Sequence, residues 1–580
     1  MKKTLIALML VLALVLGLFP CIAEDGVKEV TLTMAGAKHT PQREPIPWNE
    51  TETWKYVFDY IEENYGYRLR VNWIDYDADK INLMVSGGEY TDIVWCGGQE
   101  TAYTIINNGA AIDFNEYADK CKFTFSEIYE ARNNLMCALT GGKDGCLYFL
   151  PLSIGAEYVD GDISLPRGYT LNWEWYKELG CPEINSDDDY IEILAQMVEN
   201  HPENAAGEKV YAYGIRSDNF SYWFQRAAMC APALMSPGTF DGYLYMEGYD
   251  DHILYDGYTN TERSAYWQDM EFLWKLNQMG IFDQESFTQT NNECKAKMAA
   301  GRYAGVYRPV SDLYNAMRKT DKETLMGYTA VPSKNAIVYA NILHPTGYYP
   351  DSYMFIPKSG KNIEAALAFV DAIQSPMLQR VIRNGIPEKH WTYVDGVPTY
   401  TDEVQQWLTS GDEQLKYAGI NVTSIMWLQP ATIIDDGYPV LISSIKENLI
   451  PNMNYLQKDI AATYGVALPS VPFMEMVEKG ETIDQTYYYG ATAATAREEM
   501  PSDISRILSK CNNLFYTRMA DLVMAETWED FQAIQAEMIA ECATYGEAEA
   551  WEWCSEAHQK ATDIIKPMYD AYVEAFHASK

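Results

Sequence analysis

Residues 29–95 contain four segments that predict how the chain begins to fold: EVTLTM at 29–34, WKYVFDYI at 54–61, RLRVNWI at 68–74 and TDIVW at 91–95. Apolar residues alternate along the first segment, as on a strand with one buried face. In the second they recur at i, i+3, i+4 and i+7, which predicts an amphipathic helix that Gly66 ends. The other two segments are typical of strands, with a short helix over residues 81–85 between them. This strand–helix order predicts a parallel sheet, as in α/β proteins.

Further along the chain, local signals predict mainly helices. Ser186 is expected to cap a helix within 182–197, so the acidic run that follows it is interpreted as a helix N-terminus rather than a metal site. Thr527 is expected to cap a second helix. The remaining predicted elements are a strand over 352–356, a helical pattern from 363 to 374 that continues to Asn384 and Gly385, and a helix around 504–511. The region after residue 400 is therefore expected to be mostly helical.

The first residues predict export. Lys2 and Lys3 precede an apolar run from Leu5 to Phe19, which is too short to span a bilayer comfortably and is typical of a signal peptide over 1–23. Two interpretations of its end stay open: cleavage after Ala23, or a lipid attached to Cys21. We therefore expect an extracytoplasmic protein, at the cell surface or in a periplasm, with lipid anchoring undecided.

Composition excludes several functions. The 580 residues can form two or more domains, and the formal charge of -38 would repel nucleic acid and anionic lipid, so no nucleic-acid partner is expected. The cysteines form no CxxC pair. They are either buried thiols or pairs such as Cys137 with Cys146 and Cys542 with Cys554, and the sequence does not decide between these.

No motif for catalysis, a metal or a nucleotide cofactor is present, so we expect neither an enzyme nor a cofactor. The aromatic content is high instead, with 15 Trp and 44 Tyr. Flat rings stack on the apolar face of a pyranose, whose hydroxyls need amide or charged partners. Trp95, followed by Gln99 at the end of a predicted strand, is well placed for this role, although core packing is an equally good interpretation of Trp95.

Five segments in order resemble the family 1 extracellular solute-binding proteins, especially the long lipoprotein subgroup that includes oligosaccharide binders. They are LMVSGGEYTDIVW at 83–95, GGKDGCLYFLP at 141–151, YTLNWEWYKELGCPEINSDDDYIEIL at 169–194, MAAGRYAGVYRP at 298–309, and PKSGKNIEAALAFVDAIQSPMLQRVIRNGIPEKHWTYVDGVP at 357–398. Some members carry a calcium loop near the position of residues 201–214. Here only Asn204 and Glu208 offer side-chain oxygens, so we expect no calcium there.

The resemblance implies a periplasmic-binding-protein-like α/β fold with two lobes, a ligand cleft between them and extra C-terminal helices. Residues 24–149 and 353–395 are expected in lobe 1, and residues 150–352 and 396–580 in lobe 2. The implied function is the extracytoplasmic component of an ABC importer, a monomer that captures an oligosaccharide by hinge closure and delivers it to a membrane permease. The alternatives are a surface carbohydrate-active enzyme or glycan-adhesion module, and an importer component that binds peptides.

The same resemblance, together with the aromatic pattern, selects candidate ligand contacts. Trp95 and Gln99 are expected in lobe 1, Tyr307 and Arg308 in lobe 2, and Trp391 near a crossing between the lobes. Two further candidates are Trp223 and Tyr348.

Overall fold

The computed structural model describes residues 26–36, 47–75, 83–84, 87–88, 90–96, 99–141, 145–152, 154, 168–230, 243–307, 327–334, 337–338, 353–410, 412–420, 427–430, 432–484, 493, 496–498 and 500–579. Several sequence predictions fall outside these residues: the signal peptide with Cys21, most of the short helix at 81–85, Arg308 and Tyr348.

The described residues contain both strands and helices, with the last strand ending at Asp484. The strands are β1 (Lys28–Gly36), β2 (Tyr67–Asp75), β3 (Ile93–Cys96), β4 (Leu150–Pro151), β5 (Thr170–Asn172), β6 (Tyr245–Glu247), β7 (Leu254–Asp256), β8 (Tyr328–Ala330), β9 (Ile337–Val338), β10 (Tyr353–Phe355), β11 (Trp391–Val394), β12 (Val397–Tyr400) and β13 (Ile483–Asp484). The helices of the first 300 residues are α1 (Glu52–Tyr65), α2 (Gln99–Asn107), α3 (Glu130–Gly141), α4 (Trp173–Glu178), α5 (Asp187–Asn200), α6 (Ala265–Gln278) and α7 (Asn291–Ala299). Those that follow are α8 (Ile363–Ala372), α9 (Pro376–Asn384), α10 (Asp402–Ser410), α11 (Gln414–Ala418), α12 (Lys446–Asn452), α13 (Tyr455–Tyr464), α14 (Val471–Glu478), α15 (Ser502–Val523), α16 (Trp528–Thr544) and α17 (Glu547–Ser579).

The described residues form two compact units. Unit 1 consists of those within 1–152, 351–408 and 412–428, and unit 2 of those within 153–350, 409–411 and 429–580. Each unit therefore gathers segments that are far apart in the sequence.

Unit 1 is built on a five-stranded sheet with the order β2-β1-β3-β10-β4. The strands β1, β2 and β3 run parallel, as predicted, whereas β10 pairs antiparallel with both of its neighbours. The predicted helix after β1 is confirmed as α1. The side chain of Thr51 accepts a hydrogen bond from the Trp54 amide at its start, and Gly66, with φ of 76°, ends it.

The helical pattern predicted from residue 363 onward is two helices rather than one. Ser375 separates α8 from α9, and its side chain accepts a hydrogen bond from the Leu378 amide. Pro376 occupies the first turn of α9, where its missing N–H costs no hydrogen bond. The chain therefore changes direction at Ser375 although the apolar spacing continues.

The described residues within 396–408 and 412–428, which the sequence had assigned to lobe 2, belong to unit 1, whereas Thr409 and Ser410 belong to unit 2. β12 pairs with β11, which the sequence had placed in lobe 1. The hydroxyl of Thr53 in α1 donates to the Ala418 carbonyl at 2.6 Å. Arg383 donates to the Leu428 carbonyl at 3.1 Å. These bonds join residues far apart in sequence, which local patterns do not reveal.

Unit 2 combines short two-stranded pairings with a large core of helices. The core gathers apolar side chains from α5 and α6 and from the long helices α15, α16 and α17. Both predicted caps are confirmed: Ser186 accepts from the Asp189 amide at the start of α5, and Thr527 forms a capping box with Asp530 at the start of α16. The acidic run after Ser186 is the first turn of α5, as predicted.

Six cysteines are buried thiols: Cys96, Cys230, Cys294, Cys511, Cys542 and Cys554. Among the described residues, no helix combines the length and the apolar character that a membrane crossing requires.

Candidate functional site

In unit 1, two tryptophans meet at the edge where the parallel strands end. Trp73 lies near the end of β2 and Trp95 near the end of β3, and their ring centroids are 6.1 Å apart in an edge-to-face arrangement. Trp73 is half-buried, while Trp95 is only 2% exposed. In open α/β sheets, ligands bind beyond the carboxyl ends of the strands. Trp73 therefore presents an aromatic ring where a ligand is expected, and Trp95 supports it from behind.

Gly36, the last residue of β1, makes room for the Trp73 ring. It lies in register with Trp95 on β3 and with Asp75 on β2. A Cβ atom at this position would lie 2.5 Å from two carbons of the Trp73 indole, far inside van der Waals contact. Glycine at this position allows the indole to lie against the end of β1.

The segment TDIVW is held in place by Asp92. Its carboxylate accepts hydrogen bonds from the Thr33 amide at 2.8 Å and the Thr33 hydroxyl at 2.9 Å. The other carboxylate oxygen accepts from the Asn362 side chain at 3.2 Å. Asp92 is 7% exposed, so it fixes β3 against β1 and the start of α8 rather than facing a ligand.

The other candidates in unit 1 lie apart from this pair. Gln99 begins α2, and its side chain is outside the described atoms. Trp391 begins β11, is 1% exposed, and donates its indole N–H to the Gly385 carbonyl at 2.8 Å. The Arg380 guanidinium lies 5.8 Å from the centre of the Trp391 ring. In this arrangement Trp391 fills the interior beside α9.

In unit 2, Tyr307 belongs to a surface of aromatic and charged groups that we call the Tyr222 surface: Arg216, Asp218, Tyr222 and Tyr307. The rings of Tyr222 and Tyr307 have centroids 5.1 Å apart. The Arg216 guanidinium lies 4.9 Å from the centre of the Tyr222 ring. Arg216 also pairs with Asp218 through two nitrogens, one of them 2.8 Å from a carboxylate oxygen.

Charge on the Tyr222 surface is fixed by this ion pair. The hydrogen bond from Arg216 lowers the pKa of Asp218, and the same bond raises the pKa of Arg216. Both groups are therefore ionised at neutral pH. Bidentate pairs hold the guanidinium plane in one orientation. The surface thus offers fixed donors and acceptors beside two phenol rings, a combination suited to a polyhydroxyl ligand.

Trp223 is next to Tyr222 in sequence but turns into the core. It is fully buried and stacks on Phe287 with centroids 5.2 Å apart. Sequence reasoning thus selected Trp223 and missed its neighbour Tyr222, together with Arg216, Asp218 and, in unit 1, Trp73. The available signal for Trp73 was its place near the end of a predicted parallel strand, the same signal that selected Trp95.

The segment that corresponds to the family's calcium loop is closed by its own hydrogen bonds. The Asn204 side chain accepts from the Ala206 and Glu208 amides at 3.0 Å and 2.9 Å. Its amide nitrogen donates to the Glu208 carboxylate at 2.9 Å. Arg302 lies 3.9 Å from the same carboxylate. Within the described part of the chain, no group of three or more His, Cys, Asp or Glu side chains is arranged to hold a metal ion.

No protein-family model matches the chain, and no curated protein matches it in sequence. Solved structures do match. An HMO-binding solute-binding protein associated with an ABC transporter, from Bifidobacterium longum infantis, aligns with a TM-score of 0.58 and 12% identity over 92% of this chain and 99% of its own. The S. pneumoniae ABC-transporter substrate-binding protein FusA, in complex with kestose, aligns with a TM-score of 0.56 and 16% identity over 92% and 100%.

The alginate-binding protein AlgQ2 gives a similar result, with a TM-score of 0.56 and 15% identity over 92% of this chain and 98% of its own. Each alignment spans nearly the whole of both proteins. The chain therefore has the two-lobe α/β fold of the solute-binding proteins of ABC transporters.

Proposed function

We propose that this protein is the extracytoplasmic solute-binding component of an ABC importer and that it captures an oligosaccharide. One observation carries the proposal: the alignments cover 92% of the chain and 98–100% of proteins that are described as binding HMO, kestose and alginate. The ligands of these three proteins are all glycans. A shared fold alone does not fix a ligand, so the site residues must also suit a glycan.

The aromatic groups of each unit meet this requirement. In unit 1, the half-buried Trp73 offers a ring for the apolar face of a sugar, supported by Trp95. In unit 2, the Tyr222 surface adds the partly exposed phenol of Tyr222, which packs on the buried Tyr307, and an ion pair that can bond sugar hydroxyls. We propose that each of these surfaces can contact a glycan, and that capture proceeds by the hinge closure that the resemblance implies, to a form that a permease recognises. Gln99, Arg308 and Tyr348 remain predicted contacts, as do the buried Trp223 and Trp391.

The proposal further holds that the protein is a monomer without catalytic activity, delivered across the membrane by residues 1–23. Lipid on Cys21 or cleavage after Ala23 remain the two forms of its mature N-terminus. Mass spectrometry of the exported protein distinguishes them, because a lipidated Cys21 retains residues 21–23 and adds the mass of the acyl chains.

Calorimetric titration of residues 24–580 with kestose, milk oligosaccharides, alginate oligosaccharides and short peptides tests the function. We expect one glycan class to bind, and the same glycan at one hundred times its Kd to stabilise the protein by about 2.7 kcal/mol. Trp73→Ala should weaken that binding about tenfold, because it removes the exposed stacking ring.

Trp553→Ala is the matched control, since Trp553 is also a partly buried tryptophan but lies on α17 of unit 2. Equal affinities for the wild type and Trp73→Ala would refute the assignment of Trp73. Binding of peptides alone would refute the glycan and leave an importer. Hydrolysis of the glycan during a long incubation would instead support the alternative of a carbohydrate-active enzyme.

A further inference from the structure

A second concave site lies within unit 2, formed by residues that take no part in the Tyr222 surface. It is a groove of about 560 Å³ between the first turn of α5, the helix α6 and the first half of α16. Small-molecule sites commonly enclose about 300–1,000 Å³. The groove is thus large enough for a small solute.

One wall of the groove is aromatic. Trp528, at the start of α16, stacks on Phe531 with centroids 4.8 Å apart and planes 14° from parallel. Trp274 packs against Trp528 from α6 at 5.2 Å. Trp528 remains partly exposed, whereas Phe531 is buried. Trp528 is therefore a fixed ring with part of its surface open, which is what stacking on a sugar requires.

A polar wall of the groove includes ion-paired side chains of α5 and α6. Lys275 lies 2.9 Å from Asp188 and 3.0 Å from Glu271. Partial burial lowers the pKa of Lys275, but its hydrogen bonds to the two carboxylates outweigh burial and raise it, so the ammonium is charged at neutral pH. Gln532 and Gln535 of α16 add amide groups. The wall therefore offers donors and acceptors together, with carboxylates in excess of ammonium groups.

One lining residue of the groove, Asp187, is held by several hydrogen bonds. Asp187 is held by Arg226 at 2.7 Å and 3.1 Å and by the Tyr169 hydroxyl at 2.8 Å. Arg226 is buried and pairs with Asp269 as well. Side chains that are already ordered lose little entropy when a ligand arrives, so this network favours binding.

We propose that this groove is a second saccharide-binding site, which takes one or two neutral sugar rings with a ring stacked on Trp528 and hydroxyls bonded to Glu271, Gln532 and Asp188. The excess of carboxylates disfavours acidic sugars. The inference goes beyond the proposed transport function and does not depend on it, because it concerns a groove formed by unit 2 alone.

Saturation-transfer NMR with the Trp73→Ala protein tests the groove while binding at the site assigned to transport is weakened about tenfold. The further loss of transfer that a groove substitution causes separates the two sites. The probes are kestose and lactose as neutral sugars, and an alginate oligosaccharide as the acidic one. We expect a neutral sugar to receive saturation with a Kd below about 10 mM, and the acidic sugar to bind at least about fivefold more weakly. Adding Trp528→Ala should remove the part of the transfer that comes from the groove.

Trp528→Ala also removes packing against Trp274, so it can lower the stability of unit 2 as well as sugar binding. A variant that leaves this packing intact is therefore needed. Gln532→Ala changes an exposed helical side chain and should weaken neutral-sugar binding about fivefold without changing the thermal midpoint. Gln559→Ala, an exposed glutamine on α17, is the matched control and should leave binding unchanged. The proposal is overturned if neither neutral sugar binds, if the acidic sugar binds as well, or if Gln532→Ala and Gln559→Ala behave alike.

Discussion

Unit 1 and unit 2 each bury an ionised group, but they satisfy it in different ways. In unit 1 the group is the carboxylate of Asp371, on α8. It accepts hydrogen bonds from the amides of Lys122, Phe123 and Thr124 at 2.7–3.0 Å, from the Thr124 hydroxyl at 2.7 Å and from the Tyr65 hydroxyl at 2.6 Å. All of these donors are neutral. A single side chain therefore fastens the loop at 122–124 to a helix about 250 positions away.

In unit 2 the buried group is the guanidinium of Arg226, and its partners are themselves charged. It bonds Asp269 at 2.6 Å and Asp187 at 2.7 Å, and it lies 4.0 Å from the centre of the Phe272 ring. Asp269 also accepts a hydrogen bond from the Ala227 amide at 2.9 Å. This network joins α5, α6 and the chain around residue 226, and its member Asp187 lines the groove.

This difference predicts how the stability of each unit responds to substitution of its buried charged group. When a carboxylate held by neutral donors is removed, several buried N–H and O–H groups lose their partner at once. When one member of an ion network is removed, the opposite charges remain buried without compensation, but removing a second member can restore balance. We therefore expect that no second substitution restores the stability lost when Asp371 is replaced in unit 1. In unit 2, a second substitution should restore part of the stability lost when Arg226 is replaced.

Asp371→Ala should have the largest effect, about 4 kcal/mol of lost stability in unit 1. Buried thiols report each unit separately, because burial raises the pKa of Cys96 in unit 1 to about 12 and likewise raises that of Cys230 in unit 2. We would monitor alkylation by mass spectrometry during a urea titration. In Asp371→Ala, Cys96 should react at much lower urea than in the wild type, whereas the urea dependence of Cys230 should not change. Asp119→Ala, an exposed neighbour of the same loop, is the control. A simultaneous shift at both thiols would show that the units unfold together.

Arg226→Met should cost unit 2 about 3 kcal/mol, because Asp269 stays buried without its counter-charge. Cys230 should then react at lower urea and Cys96 should not. The double variant Arg226→Met with Asp269→Asn should recover part of the loss, since the amide still accepts from Ala227 and carries no charge. If the double variant is as unstable as the sum of its single variants, the two side chains are not coupled and the comparison fails.

The sequence predicts the local parts of this structure well. The first strands, α1 and the caps at Ser186 and Thr527 depend on residues only a few positions apart, so their spacing reveals them. Asp371 and Thr124 are 247 positions apart, and no local pattern connects them. The membership of residues 396–408 and 412–428 in unit 1 was not predicted for the same reason.

The candidate site was predicted in part. Topology placed Trp95 at the carboxyl end of the sheet, and the structure adds Trp73 as the more exposed ring of the pair. Which ring is exposed depends on Gly36 of β1, whose missing Cβ leaves space for an indole from the neighbouring strand. Residue type alone also did not separate Tyr222 from the buried Trp223, because the exposure of adjacent aromatics depends on the helices that pack around them.

A smaller effect concerns a second buried charge of unit 2, the carboxyl of Glu547 at the start of α17. It accepts a hydrogen bond from the Tyr245 hydroxyl at 2.6 Å and hydrogen-bonds the carboxyl of Asp256. Burial, together with repulsion from Asp256, raises the pKa of Glu547 from its ordinary value of 4.5 to about 7. The folded protein therefore holds a proton here that the unfolded chain has lost.

Because the folded state binds the extra proton, the stability contributed by Glu547 is present in full below about pH 4.5 and is lost as the pH rises through 7. Glu547→Gln keeps an oxygen for Tyr245 and carries no charge, so it should stabilise unit 2 by about 1 kcal/mol at pH 8 and change little at pH 5. The urea dependence of Cys554 alkylation, measured at both pH values, checks this. Glu549→Gln, two residues along the same helix and exposed, is the control. A Glu547→Gln protein that is less stable than the wild type at pH 8 would mean that Glu547 is ionised in the folded state, and unit 2 would then bury a carboxylate beside a neutral donor, as unit 1 does at Asp371.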